Sequence, residues 1–439
     1  MKKIVKFGGS SLASAEQFKK VGDIIRADES RKYVVPSAPG KRFSGDTKVT
    51  DMLYKCYAAA ENGERFVGLL DEIKARYDEI IEGLGLELAL NDEFDVIRDN
   101  FANKAGKDYA ASRGEYLNGI IMANYLGYDF IDAAEVVLFD ENGQFDAVKT
   151  NDVMSKRLES SERAVIPGFY GAMPDGTIKT FSRGGSDLTG SIVAKAAKVD
   201  MYENWTDVSG FMIADPRIVP NPKSIDAITY KELRELSYMG ATVLHEDAIF
   251  PIRKEGIPIN IRNTNAPEDK GTLIVEATCR HPKYTITGIA GKQGFASITI
   301  EKAMMNSEIG FCRRVLQVFE DNDISIEHMP SGIDTMTVFV HQSEFEEKEQ
   351  KVLAGIHQLV QPDSIELESD LALIAIVGRG MRAKRGTAGN AFSALAKAHV
   401  NLKMIDQGSS ELNIVIGVRN HDFENAIKAL YDTFVTSKL

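Results

Sequence analysis

This sequence predicts an α/β protein: a mostly parallel sheet sandwiched by helices, followed by two ferredoxin-like βαββαβ modules. Three observations carry that prediction. Short apolar strand-like runs alternate with helical stripes over roughly the first 280 residues, the pattern of parallel strands joined by helices. Several of those runs end in glycine-containing turns that open onto helices. The last third of the chain repeats itself, residues from about 295 to 361 aligning with residues from about 371 to 437 at an offset of 76.

Composition narrows the function classes. A chain of 439 residues, 44% hydrophobic and 26% charged, is globular and long enough for about three domains. A net charge of −12 argues against a general nucleic-acid binder, which needs a basic face. Cys56, Cys279 and Cys312 are odd in number and far apart, which suits neither a disulfide framework nor a zinc site. No apolar run approaches the ~18 residues of a membrane span, and the N-terminus enters a strand with no signal-peptide pattern. A cytoplasmic protein with no nucleic-acid and no membrane partner is expected.

The first run, Ile4, Val5 and Phe7, reads as a buried strand that ends in Gly8-Gly9-Ser10 before a helix. Backbone amides at such a turn suit an anionic phosphate, and Lys6 adds a full positive charge. The glycine and lysine spacing is not that of a P-loop. Ser14 and Gln17 form a capping box for a helix striped by Phe18, Val21, Ile24 and Ile25. Tyr33-Val34-Val35 is a second strand, ended by Pro36-Ser37-Ala38-Pro39-Gly40. The polar loop from Lys41 to Lys48 is expected to be mobile, and Thr50-Asp51 to start a helix.

From Glu64 to about Leu126 the pattern is helical, with Val67, Leu70, Ile73, Tyr77 and Ile80 in one stripe. Ser112-Arg113-Gly114-Glu115 precedes the apolar face of Leu117, Ile120, Ile121 and Tyr125, where a lone carboxylate is ordinarily solvated. Strands are expected at Phe130-Ile131, Val136-Val137-Leu138, Ala164-Val165-Ile166 and Thr177 to Phe181, with a turn at Pro167 to Gly171. Ser182-Arg183-Gly184-Gly185-Ser186-Asp187 then forms a second glycine turn before a helix carrying Leu188, Ile192, Val193 and Ala196. Arg183 can grip a carboxylate or phosphate with two parallel hydrogen bonds, whereas Ser186 or Asp187 can serve simply as a helix cap. Val199 to Trp205 is a strand that leads into Thr206-Asp207, and Asp215-Pro216-Arg217 follows. Strands at Ile257 to Ile261 and Thr272 to Val275 close the domain, with the boundary in Glu276 to Tyr284. The expected domains are 1–280, 285–369 and 370–439. Ligands of parallel sheets bind beyond the carboxyl ends of the strands, where these turns converge.

In the repeat, Gly310 matches Gly386, Leu316 matches Phe392, Phe319 matches Leu395, Ile324 matches Val400 and Gly332 matches Gly408. Met336, Val338 and Val340 match Leu412, Ile414 and Ile416 with strand alternation. A strand near Ile365-Leu367 completes the βαββαβ order. Paired small modules after a catalytic domain suggest regulation, with dimer stabilisation as the alternative.

With these motifs in hand, the chain resembles the monofunctional aspartate kinases, of amino-acid kinase fold with two C-terminal ACT domains. Lys6-Phe7-Gly8-Gly9-Ser10-Ser11, Ser37-Ala38-Pro39, Ser112-Arg113-Gly114-Glu115, Arg183-Gly184-Gly185-Ser186-Asp187, Thr206-Asp207 and Asp215-Pro216-Arg217 carry the resemblance, in this order, over nearly the whole chain. It implies ATP-dependent phosphorylation of the L-aspartate β-carboxylate to 4-phospho-L-aspartate, the first step towards lysine, methionine and threonine. Mg²⁺ would arrive with ATP. By the same resemblance, Lys6, Gly8, Gly9 and Ser10 meet the phosphates. Arg183 grips the aspartate α-carboxylate, and Glu115 its ammonium. Ser37, Thr50, Gly184, Gly185 and Ser186 hold the remaining substrate oxygens. Asp187 either holds Lys6 or meets the ammonium. Thr206, Asp207, Asp215 and Arg217 line the nucleotide site. Family members often carry lysine where this chain has Thr242 and tyrosine where it has Met212, so the resemblance carries no nucleotide contact at either position. It also implies feedback inhibition by L-lysine between ACT domains of a homodimer or tetramer. The matching positions are Met305, Gly310, Phe311, Cys312, Ser325 and Glu327, with Glu327 paired to the effector's amino group.

Overall fold

In the computed structural model, Ile4, Val5, Lys6 and Phe7 are all buried in β1 (Lys3–Phe7), at the middle of an eight-stranded sheet. The structure describes residues 1–182, 184–241, 244, 246–278, 283–382 and 384–437. They fall into two units. One comprises Met1–Phe211, Ser224–Tyr230 and Val243–Thr278; the other comprises Met212–Lys223, Lys231–Thr242 and Cys279–Leu439.

The strands of the first unit are β1, β2 (Arg31–Pro36), β3 (Asp129–Phe130), β4 (Ala164–Val165), β5 (Tyr170–Ala172), β6 (Ile178–Thr180), β7 (Met201–Thr206), β8 (Ala227–Thr229), β9 (Ile259–Asn263) and β10 (Thr272–Val275). The main sheet runs β3-β4-β2-β1-β7-β9-β10-β8. All neighbours are parallel except β9 and β10. β5 and β6 form a separate antiparallel hairpin.

Alternation along the central strands decides what each face holds. Val5, Phe7 and Trp205 join the hydrophobic cluster beneath the helices Ala15–Arg26, Val49–Glu61, Val67–Leu84, Asn91–Ala102 and Lys107–Leu126. Lys6 and Asn204 point to the opposite face, where the helix Gly185–Ala196 packs on β1, β2 and β7. The Ser14 side chain accepts the Gln17 amide as expected, and Phe18, Val21, Ile24 and Ile25 are buried. Two expectations fail. Val136-Val137-Leu138 is not a strand of the sheet: Asp132 caps a helical turn at Ala133–Val136, and Leu138 keeps an isolated bridge to Ala172. The turn expected at Pro167 to Gly171 already contains the start of β5. Val67 is exposed because it is the first residue of its helix, whereas Leu70, Ile73, Tyr77 and Ile80 are buried.

The second unit holds a six-stranded antiparallel sheet: β11 (Gly288–Glu301), β12 (Ile326–His328), β13 (Thr335–His341), β14 (Ser364–Val377), β15 (Met404–Asp406) and β16 (Asn413–Arg419), in the order β12-β13-β11-β14-β16-β15. The boundary expected at 369/370 falls inside β14. Both copies of the repeat share the two long central strands. Phe295 to Glu301 of β11 pairs with β13, while Gly288 to Gln293 pairs with the second half of β14. The second copy therefore takes its fourth strand from upstream of the first. The matched glycines Gly310 and Gly386 both sit just before helices with φ of 80° and 83°, a conformation that favours glycine. Glu232, fully buried at the start of the helix Tyr230–Tyr238, accepts from the Thr287 hydroxyl at 2.6 Å and from the Arg379 amide and guanidinium at 2.8 Å each.

Candidate active site

The ends of β1 and β2 meet backbone to backbone. The Gly40 amide donates to the Gly9 carbonyl at 2.8 Å. A Cβ on Gly9 would stand 2.8 Å from the Ala38 carbonyl oxygen, and one on Gly40 would stand 2.6 Å from the Gly9 carbonyl carbon. Glycine is required at both positions. The Gly8 amide is tied back to the Trp205 carbonyl at 3.0 Å. Gly9 and Ser10 open the 3₁₀ turn Gly9–Leu12, whose first amides have no partner within the turn.

Lys6 lies against this turn, mostly buried, with its Nζ 2.6 Å from Asp187 Oδ1. Asp187 stands in the first turn of the helix that Gly184 starts with φ of 60°. Asn204 Nδ2 donates to the same carboxylate oxygen at 2.9 Å, and the Tyr202 hydroxyl donates to the Asp187 carbonyl at 3.2 Å. Of the two roles left open for Asp187, the geometry shows the pairing with Lys6. Ser186 is pressed by the loop after β4, where a Cβ on Gly168 would come within 2.7 Å of it.

Glu115 departs from the ordinary reading of a helix carboxylate, for it is buried within the helix Lys107–Leu126. Gly114 makes this possible: a Cβ there would lie 2.7 Å from that of Ala38, so the helix rests on the loop after β2. Tyr77 donates to the Gly114 carbonyl at 2.8 Å. Burial pushes the Glu115 carboxyl up to about 8, against the Ala38 amide and the charges of Lys6 and Arg113, which favour its ionised form. Arg113 is buried among the rings of Tyr109, Tyr116 and Tyr170 and donates to the Ser112 hydroxyl.

The loop expected to be mobile is pinned by ion pairs. Asp46 takes Arg42 at 3.0 Å and Arg76 at 3.2 Å. Arg76, buried on the helix Val67–Leu84, also donates to the Gly40 carbonyl at 2.9 Å and the Thr47 carbonyl at 3.0 Å. Thr50 follows in the first turn of Val49–Glu61, and the Val49 amide is held by the Pro39 carbonyl at 3.1 Å. At the end of β7 the Thr206 hydroxyl donates to Asp207, and its carbonyl accepts the Thr264 amide at 2.8 Å.

Lys6, Gly8, Gly9, Ser10, Ser37, Thr50, Glu115, Gly184, Gly185, Ser186, Asp187, Thr206 and Asp207 thus all lie in the first unit, at or beside strand ends. Asp215 and Arg217 belong to the second unit, where the exposed Arg217 guanidinium binds Asp215 at 2.6 Å and holds its carboxyl below the usual range. Arg183 and Thr242 lie outside the described residues. Sequence reasoning missed Asn118, Asn204 and Arg76. Asn118 and Asn204 are polar positions inside apolar runs, which was the available signal. Among the described residues no group of three or more His, Cys, Asp or Glu is placed to hold a metal, and no helix is long and apolar enough to cross a membrane.

Of the positions matched to an effector site, Met305 and Phe311 are buried in the core of the first repeat copy, Cys312 is a half-buried free thiol, and the Ser325 amide points at Glu344. The Glu327 side chain is only 6% exposed, not solvated. It accepts from the Tyr238 hydroxyl at 2.7 Å and lies 3.2 Å from His341 Nε2.

The chain matches the amino acid kinase family over residues 1–263 and the ACT domain over residues 374–434. It is 40% identical to aspartokinase 3 of Bacillus subtilis (strain 168), over 100% of this chain and 99% of that one. The structure resembles that of the aspartate kinase of Clostridium acetobutylicum with a TM-score of 0.92 at 52% identity, over 99% of this chain and 100% of that one. E. coli aspartokinase III, at 25% identity, gives a TM-score of 0.75 in complex with aspartate and ADP, over 100% of both chains. In complex with lysine and aspartate it gives 0.74, over 99% of both. The family match spans the whole mostly parallel sheet up to β9, with the strand ends that carry the candidate site, and the chain belongs to the amino acid kinase family. Within it, the enzyme is an aspartate kinase.

Arg76 touches no candidate substrate group, yet it holds both ends of the Gly40–Thr47 loop from behind. Arg76→Met keeps the buried stem and removes those bonds. It is expected to lower kcat/KM for aspartate by about tenfold or more, since small misplacements of positioning groups cost up to ~100-fold. Steady-state kinetics, with circular dichroism as the check on folding, tests this.

Proposed function

We propose that this chain transfers the γ-phosphoryl group of ATP to the β-carboxylate of L-aspartate, and that L-lysine inhibits it through the ACT domains. The observation that carries the catalytic reading is the pairing of buried Lys6 with the half-buried Asp187 beside the Gly9–Gly40 contact, with Glu115 buried next to it. The acceptor is already an anion at neutral pH, so no general base is needed. A carboxylate oxygen bonds to the γ-phosphorus as the bond to the bridging oxygen of ADP breaks. The protein's task is to bring two anions together and to stabilise charge on the transferring group.

Lys6 supplies that charge at a fixed place, and Asp187, fixed in turn by Asn204, orients it. Gly8 lies beside the Lys6 ammonium, where even a Cβ would stand in van der Waals contact with Nζ at 3.7 Å, so a polyphosphate held by the turn amides would meet that charge. Mg²⁺ carried by ATP neutralises phosphate charge when bound. Glu115 receives the substrate ammonium and Arg183 its α-carboxylate, with Ser37, Thr50 and the Gly184-Gly185-Ser186 segment holding the other oxygens. Thr206, Asp207, Asp215 and Arg217 serve the nucleotide. An acceptor without a free ammonium, such as N-acetylglutamate, would leave Glu115 unpaired. The product opens the route to lysine, methionine and threonine in the cytoplasm, and the ACT domains join subunits into a homodimer or tetramer. The lysine complex of E. coli aspartokinase III supports the choice of effector.

A hydroxamate-trapped assay with ATP, Mg²⁺ and L-aspartate, with and without lysine, tests both halves. Lys6→Ala is expected to lower kcat by about 10²- to 10³-fold, the usual effect of removing one preorganised electrostatic group. Near-normal turnover would refute its role.

The pH dependence has a defined sign. Below about 8 the empty site holds Glu115 protonated, and an ammonium pairs only with the carboxylate. KM for aspartate is expected to fall by about tenfold per pH unit as pH rises towards 8 and to level off above it. Glu115→Gln should flatten that slope.

For regulation, Glu327→Ala is expected to weaken lysine inhibition. Tyr238→Phe releases Glu327 from an internal partner and should strengthen inhibition by up to about tenfold, the scale of a hydrogen bond to a charged group. Inhibition curves at fixed aspartate decide both.

A further inference from the structure

Two buried side-chain oxygens in the candidate site have no hydrogen-bond partner: Oε2 of Glu115 and Oδ1 of Asn118. The two residues are three apart on the helix Lys107–Leu126, so their side chains leave one face a single turn apart. Both reach the loop after β2. The Ala38 amide serves the Glu115 carboxylate, and Asn118 Nδ2 donates to the Ser37 carbonyl at 2.6 Å. That bond fixes the amide's orientation, because turning it over would set two oxygens 2.6 Å apart. Oδ1 of Asn118 is therefore an acceptor in a fully buried side chain, and buried polar atoms are rarely left unpaired.

An ammonium pairs with Glu115 only once that carboxyl is ionised, and two acceptors then stand on one helix face for a compact cationic donor. An ammonium offers three N–H groups and a full charge, whereas a bound water offers two donors and no charge. We infer that Asn118 Oδ1 shares the substrate's α-ammonium with Glu115 Oε2, which makes Asn118 a specificity-determining residue for amino over plain dicarboxylic acids. This rests on the reading that the aspartate ammonium lies at Glu115. It assigns Asn118 two tasks: its nitrogen positions Ser37, and its oxygen binds substrate.

The test compares KM for L-aspartate with the inhibition constant of succinate, which keeps both carboxylates and lacks the ammonium. It uses the full-length enzyme and the variants Asn118→Leu and Asn118→Asp. Loss of the Ser37 contact weakens both ligands alike, so the ratio of the two constants isolates the ammonium. The wild type is expected to favour aspartate, Asn118→Leu to shrink that preference by about tenfold, and Asn118→Asp, which keeps an acceptor, to retain or increase it. A preference unchanged in Asn118→Leu would overturn the inference and leave the Glu115 reading standing. No preference in the wild type would overturn the Glu115 reading itself. Should Asn118→Leu fail to fold, Asn118→Ala takes its place, and a preference unchanged in the folded Asn118→Ala overturns the inference.

Discussion

One backbone contact, Gly40 amide to Gly9 carbonyl at 2.8 Å, fixes the spacing between the ends of the two central strands. The rest of the site is placed from it. With Gly40 fixed, Ala38 stands where Gly114 can rest against it, and that contact brings Glu115 under the loop. Arg76 closes the arrangement from behind by holding the Gly40 carbonyl. At each of these approaches a side chain is absent where backbone must come close. The precision of the site therefore resides in strands, a helix and their glycines, with the buried Arg76 holding the loop between them.

Charge is balanced before any ligand arrives. Lys6 is matched by Asp187, and Arg113 is sheltered by three tyrosine rings. Glu115, buried beside them, holds its proton in the empty site at neutral pH. A substrate with two carboxylates and a nucleotide with a polyphosphate both bring negative charge. A Glu115 that ionises only when a cation comes to meet it adds to that burden only when the ammonium offsets it.

Much of this was legible in the sequence because it follows from periodicity and from glycine. The parallel sheet, the Ser14 N-cap (the half of the capping box that forms, since the Gln17 side chain turns to Asn265) and the repeat with Gly310 and Gly386 before its helices all follow from local rules. The alternation that buries Val5 and Phe7 on one face also sends Lys6 to the other, beside the helix that carries Asp187. What escaped depends on tertiary contact. Asp132 turned an apparent strand into a helical turn, and β8 is three residues long, too short for a pattern. Glu115 looked like a surface residue because nothing local says that Ala38 lies on Gly114. Asn118, Asn204 and Arg76 act through backbone carbonyls or another side chain, and their partners are 81, 17 and 36 residues away.

The two long strands of the second sheet bear on how this protein can be cut and recombined. Gly288 to Gln293 covers one edge of Leu371 to Val377, the most thoroughly buried strand segment of the second repeat copy. A fragment cut at the repeat boundary would expose that edge, with its row of unpaired amides and carbonyls flanked by apolar side chains. Such an edge is a template for intermolecular pairing. The two copies are thus not interchangeable cassettes. A graft or chimera keeps its sheet closed only if residues 288–293 travel with residues 371–437, although more than 70 residues of chain separate them.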